Sequence, residues 1–356
     1  MNYRTIIADS WEYTQKNKSL IFWLGFVPAI LTTPVAVAFL AFQFFSFKQS
    51  TLYDPNYDGS SFASDLYGYI WGFLSSHGSW AVPLIIVTVI LLISFLLLPT
   101  LAQAAAIQKI ARNRNGQKAT VGTGIKFGIF SFLALLEYHL LIKTFSFFSI
   151  LMEMSFTARN LGVGIFKILL PFFVLFLLIG LLLTLLLVYA DFFIVIDGDG
   201  VFKSMKKSIK LVISSWKHTF LITMLLLLIG ARIVIQVVII FMIPALIAVI
   251  VGYLATVALP IITIIVAIIL GTAGLLLAAY LNGIVDIFVY TVWTFTFLEL
   301  TSEKELSARD SVDKEVREQA EEVVEAAVEQ VFEEREKEEE DDEKDEPHHY
   351  EGHKNL

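Results

Sequence analysis

Residues 233–285 read IVIQVVIIFMIPALIAVIVGYLATVALPIITIIVAIILGTAGLLLAAYLNGIV, 53 positions without one Asp, Glu, Lys, Arg or His. A run this long and apolar does not stay dispersed in water, and it exceeds the roughly 20 residues that carry a helix across a hydrocarbon core of about 30 Å. Working outward from it, the charges are sorted by region. Residues 1–300 carry 18 Lys/Arg against 12 Asp/Glu, and residues 301–356 carry 8 against 22. The distribution of charge therefore maps where the chain meets water.

Apolar stretches of spanning length recur along the first 300 residues, and the chain is 17% charged with a mean hydropathy of +0.72. Soluble domains carry about a quarter charged residues. The short alternating segments of a membrane β-barrel are not found. The fold class is therefore all-α: a polytopic membrane bundle of six transmembrane helices with interfacial amphipathic helices, followed by an acidic C-terminal tail. The expected spans are residues 20–46, 81–106, 130–152, 166–190, 219–243 and 262–298. Seven spans, or a re-entrant piece at 245–259, are the alternative, because Pro244, Gly252 and Pro260 interrupt the longest run. The first apolar run extends to Phe47, past Ala36-Val37-Ala38, and is read as a retained span rather than a cleaved signal peptide.

Basic residues orient the spans. Arg4, Lys16 and Lys18 precede the first span. Lys109, Arg112, Arg114, Lys118 and Lys126 follow the second, and Lys203, Lys206, Lys207, Lys210 and Lys217 follow the fourth. These 13 residues lie on one side, while Lys48, Arg159 and Lys167 lie on the other. Both termini are expected in the cytoplasm of a cell (inner or plasma) membrane.

Three amphipathic stretches, Tyr3–Lys18, Thr120–Leu133 and Gly200–Lys217, each lead into a hairpin of spans, a weak internal repeat. In the third, Val201, Met205, Ile209, Val212 and Trp216 fall on one helical face. Lys203, Lys206, Lys207 and Lys210 lie largely on the others, where they are expected to contact anionic lipid headgroups. Asp199 is the expected N-cap. The 48–80 connection is acidic and aromatic, with Tyr67, Trp71 and Trp80, and reads as an interfacial belt with a short surface helix.

Residues 301–338 read as an acidic amphipathic helix with a thin stripe of Val312, Val316, Ala320, Val323, Ala327 and Val331. Residues 339–356 read as a disordered charged tail. His348, His349 and His353 belong to that solvated end.

No catalytic, cofactor or metal constellation is recognised. There are no cysteines, which removes thiolate chemistry and Cys-based metal sites. Asp197-Gly198-Asp199-Gly200-Val201 has the look of a phosphatase or calcium loop. It lacks the later acidic partners either chemistry needs, and is read as a turn. The lysines are accounted for by membrane sidedness, so no nucleic-acid partner is expected. The ligand-binding candidates are the ionisable residues at membrane depth: Glu137, His139 and Lys143 in the third span, Arg232 in the fifth and Asp286 in the sixth. Such groups are costly in lipid and pair or line a cavity. His139 and Lys143 share a face, Glu137 is expected to meet another helix, and Arg232 is placed to pair with Asp286. Ala267/Gly271 and Gly274/Ala278 are small-residue pairs that permit close packing.

The stretch from Ala190 to Ser208, ADFFIVIDGDGVFKSMKKS, then Trp216, resembles the bacterial six-span membrane proteins related to the membrane domain of glycerophosphoryl diester phosphodiesterases. The Tyr290 region is similar to the same group. The resemblance covers residues 1–300 in layout and about 30 residues in motif. It implies a helical membrane domain; the catalytic barrel of the phosphodiesterase has no counterpart here, so no catalytic residue carries over. The sequence thus points to a non-enzymatic membrane scaffold or organiser, its tail facing a basic cytoplasmic protein. A transporter or flippase-like protein for a lipid or lipophilic substrate is the alternative.

Overall fold

The computed structural model describes residues 3–48, 62–143, 145–231, 252, 265 and 268–302, and the described residues contain helices and no strand. In chain order the helices are α1 (Tyr3–Lys16), α2 (Lys18–Leu20), α3 (Val27–Lys48), α4 (Phe62–Ser76), α5 (Gly78–Arg114) and α6 (Val121–Lys143). They continue with α7 (Phe147–Asn160), α8 (Gly162–Leu186), α9 (Ala190–Val195), α10 (Val201–Ser214), α11 (Trp216–Ala231) and α12 (Ile268–Ser302). Among the described residues, five helices are long and apolar enough to cross a membrane, and a sixth is counted if α10 and α11, bent by 95°, form one span. The protein is therefore a multi-pass helical membrane protein. The chain divides into one unit over residues 1–298 and a second over 299–356, of which only the last turn of α12 is described. The 301–338 helix and the 339–356 tail lie otherwise outside the described residues, as do Pro244, Pro260 and the 245–259 piece apart from Gly252.

Two expected boundaries are corrected. The third span runs from Val121 rather than 130, and ends at Lys143. Thr120–Leu133 is thus the beginning of a span rather than a surface helix. The reason is steric: a Cβ on Gly124 would stand 2.6 Å from the Ala105 carbonyl oxygen, and one on Gly128 would stand 2.7 Å from the Ala105 nitrogen. These glycines let α6 lie directly on the alanine-rich end of α5. At the other end, Ser146 caps α7 by accepting a hydrogen bond from the Ser149 amide at 3.2 Å, so the chain turns before 152.

The amphipathic helix ahead of the first span is present as α1, which buries Ile6, Ser10 and Thr14. Asn17 breaks it from α2, and the buried Lys109 donates to the Asn17 side-chain oxygen at 3.1 Å, tying α5 to that hinge. A π-helical turn at Ile21–Phe26 follows. Within it Gly25 meets Gly283 of α12, where a Cβ would come within 2.5 Å of the opposite carbonyl oxygen. The expected small-residue contact at Gly271 is not used among the described residues, since nothing lies within 4 Å of its Cβ position. The core joins Ile6, Leu24, Ala105, Ile110, Ile222, Ile287 and Val292, from α1, the π turn, α5, α11 and α12. A second, aromatic zone sets Tyr189 at 5.6 Å from Trp293, and Phe193 at 4.8 Å from Phe297. In the aromatic connection α4 is the short surface helix, with Tyr67 stacked on Trp71 and both exposed.

Candidate functional site

Among the intramembrane candidates whose side chains are described, His139 and Glu137 face different surroundings. His139 is half-buried on α6, and its Nε2 lies 3.5 Å from Oδ2 of Asp191. Glu137, two residues earlier, points the other way. It is exposed and has no ion-pair partner among the described residues, which corrects the expectation that it meets another helix. The helical angle between the two positions is about 200°, so one faces the bundle and the other faces out. Lys143 is the last residue of α6. Arg232 lies outside the described residues, so its pairing with Asp286 does too. Asp286 is partly buried on α12, one turn before Tyr290.

The polar centre of the bundle is Asp191 of α9. Its Oδ2 accepts a 2.6 Å hydrogen bond from Gln103 Nε2 of α5 and faces His139 of α6, so one carboxylate joins three helices. Among the described residues its Oδ1 is buried without a hydrogen-bond partner. Nearby, the Tyr138 hydroxyl donates to the Leu187 carbonyl at 3.2 Å, Gln108 donates to the Val195 carbonyl, and the Tyr189 and Thr219 hydroxyls bond at 3.2 Å. Each bond ties the segment 187–195 to another part of the bundle. Sequence reasoning missed Asp191 and Gln103. The available signal was that Asp191 is the first charge after the uncharged run 168–190, so its carboxylate follows directly on a span.

The second polar feature is the turn into α10. Gly198 has φ +71°, a left-handed conformation that glycine adopts without a Cβ clash. Gly200, rather than Asp199, is the N-cap of α10, with no side-chain cap bond. Asp199 instead turns toward the lysines of α10: it lies 2.6 Å from Lys203 and 2.5 Å from Lys207, while Asp197 lies 3.0 Å from Lys207. Burial works against ionisation of Asp199, but the bonds from Lys203 and Lys207 outweigh it and hold the carboxyl below the usual range. Among the described residues Lys206 and Lys210 are exposed and have no acidic partner.

The face of α10 that enters the protein also differs from the expected stripe. Val201 and Val212 are buried, but together with Ser204, Ser208 and Leu211. Ser208 explains this, because its hydroxyl donates to the Leu186 carbonyl at 2.8 Å and accepts from the Tyr189 amide at 3.2 Å. Satisfying those two backbone groups, left over where α8 ends, turns the serine side inward. Phe202, Ile213 and Trp216 are left outside, and Met205 and Ile209 are only partly covered.

Among the described residues no three His, Asp or Glu side chains come together in a metal-binding group. Comparison of the chain with protein-family models, curated proteins and solved structures returns no match.

Proposed function

We propose that the chain is a non-catalytic scaffold or organiser of a bacterial inner (or plasma) membrane, with both termini in the cytoplasm. The observation that carries this reading is the use made of polar side chains inside the bundle. Gln103, His139, Tyr138 and Tyr189 are engaged with Asp191, with a backbone carbonyl or with Thr219, all of which join helices. Side chains held this way fix helix register. The orientation rests on the 13 basic residues at one set of span ends. The acidic residues 301–356 suit a basic cytoplasmic protein partner. The resemblance to the membrane domain of glycerophosphoryl diester phosphodiesterases belongs to the same proposal and extends only to the helical part.

The transporter or flippase-like alternative requires Glu137, Lys143, Arg232 and Asp286 to line one path, and the outward position of Glu137 does not favour it. The two readings separate in reconstituted vesicles containing a fluorescent phospholipid. With a scaffold, the fraction bleached by an external reductant equals that of protein-free vesicles. Bleaching of the inner leaflet at low protein density would replace the scaffold reading with lipid translocation. Cross-linking in cells addresses the tail: deletion of 301–356 should remove basic partners, and an unchanged set would remove the tail from the account.

A further inference from the structure

α10 carries four lysines, and the structure divides them into two kinds. Lys203 and Lys207 are neutralised by Asp197 and Asp199. Lys206 and Lys210 are exposed, and as an i,i+4 pair their Cβ atoms stand about 5–6 Å apart on the helix surface. They border an open apolar strip along the outer face of α10, formed by Phe202, Met205, Ile209 and Ile213. Phe202 is 72% and Ile213 64% exposed, a large apolar area beside two cations that have no acidic partner among the described residues.

The depth of this face follows from two contacts. Ser208 bonds the carbonyl of Leu186, the last residue of the span α8, so α10 lies level with a span end. The 95° bend to α11 lays α10 across the direction of the helix that enters the membrane. A helix lying flat at that level has lipid phosphate beside its cations and acyl chains beneath its apolar residues.

We propose that Lys206 and Lys210 bind the phosphate of an anionic phospholipid of the cytoplasmic leaflet, one of whose acyl chains lies along the strip of Phe202, Met205, Ile209 and Ile213. Charge complementarity selects this occupant: two ammonium groups with no acidic partner among the described residues, beside a surface with almost no other polar lining, match a lipid that is anionic at one end and apolar at the other. The site rests on the reading of α10 as a membrane-surface helix, and adds to it a particular ligand class and pair of residues.

The test uses the full chain in detergent, with retained phosphatidylglycerol and phosphatidylcholine counted by native mass spectrometry during titration. The wild type is expected to prefer phosphatidylglycerol. With about 1 kcal/mol for each lysine near an anionic surface, K206Q with K210Q should weaken that binding on the order of thirtyfold. Phosphatidylcholine binding should be unchanged, and K206R with K210R should retain the preference. K118Q with K126Q removes the same charge from exposed lysines elsewhere on that side, and should change binding less than about twofold. Equal loss in both Gln pairs would mean diffuse surface charge and would overturn the site.

The underlying reading is tested separately. Because the chain has no cysteine, Ile213→Cys offers a unique labelling position. Quenching of a fluorophore there by brominated acyl chains is expected in vesicles of either lipid. Quenching without phosphatidylglycerol preference would discard the site and leave the surface helix standing. No quenching would remove both.

Discussion

From Val82 to Leu96 nearly every large side chain of α5 is exposed, whereas from Thr100 to Ala111 nearly every residue is buried. The first stretch is Leu, Ile and Val; the second contains Ala102, Ala104, Ala105, Ala106 and Ala111. Size, more than hydrophobicity, separates the two halves. Lipid tails are as apolar as leucine, so large aliphatic side chains gain little by moving from lipid to protein. Small ones allow helices to approach, and the approach supplies the dispersion contacts. Gly124 and Gly128 meet the alanine half, and Asp191, Ser208 and Lys109 make their bonds around the same end of the bundle.

That contrast is most strongly broken at Gly128. A valine there puts a Cβ about where the Ala105 backbone already is, and should cost about 3 kcal/mol. Leu92→Ala, in the exposed half, should stay within about 0.5 kcal/mol. Unfolding midpoints in mixed detergent compare the two, and equal losses would mean that the halves of α5 are not distinct. Next in size is Asp191→Ala, which leaves Gln103 and His139 without their acceptor. A loss of about 2 kcal/mol is expected, against no measurable change for Glu137→Ala on the outer side of α6. Tyr189→Phe removes one hydroxyl bond to Thr219 while keeping the ring packing on Trp293. It should cost about 0.6 kcal/mol, a typical interhelical hydrogen bond.

The smallest effect expected is that of acid on the α10 turn. Asp199 is lowered in the folded protein, so its pairing with Lys203 and Lys207 contributes fully above its ordinary unfolded value and is lost as pH falls through the folded one. Hydrogen exchange of residues 201–214, corrected for intrinsic rates, should be protected equally across neutral and mildly acid pH. It should quicken only in strong acid, below the ordinary aspartate range. Quickening already near pH 6 would point to a histidine instead.

Much of the helical layout was legible in advance. The charge-free runs located the described membrane segments, an amphipathic helix was expected over Tyr3–Lys18 where α1 lies, and the lysine-rich helix after Gly198-Asp199 was expected where α10 lies. The polar centre was not. Glu137 and His139 were expected on different faces, as a helix places residues two apart, yet Glu137 faces outward rather than meeting another helix, while His139 meets Asp191. Asp191 falls one residue past the expected fourth span, 166–190, and Gln103 carries no charge to attract notice. The face of α10 was misjudged for a related reason: Ser204 and Ser208 are polar by type, but one of them satisfies backbone groups left open at the end of α8.

By itself the sequence determined that this is a multi-pass helical membrane protein and where its charged segments fall, because transferring charge out of water is costly enough to register in composition. Tertiary structure alone decided which surfaces of those helices meet each other. Inside a membrane that choice rests on close approach at Gly25, Gly128 and Gly283 and on single bonds such as those of Asp191 and Ser208. Such contacts are specific to geometry, and leave little trace in the apolar pattern on which sequence reading depends.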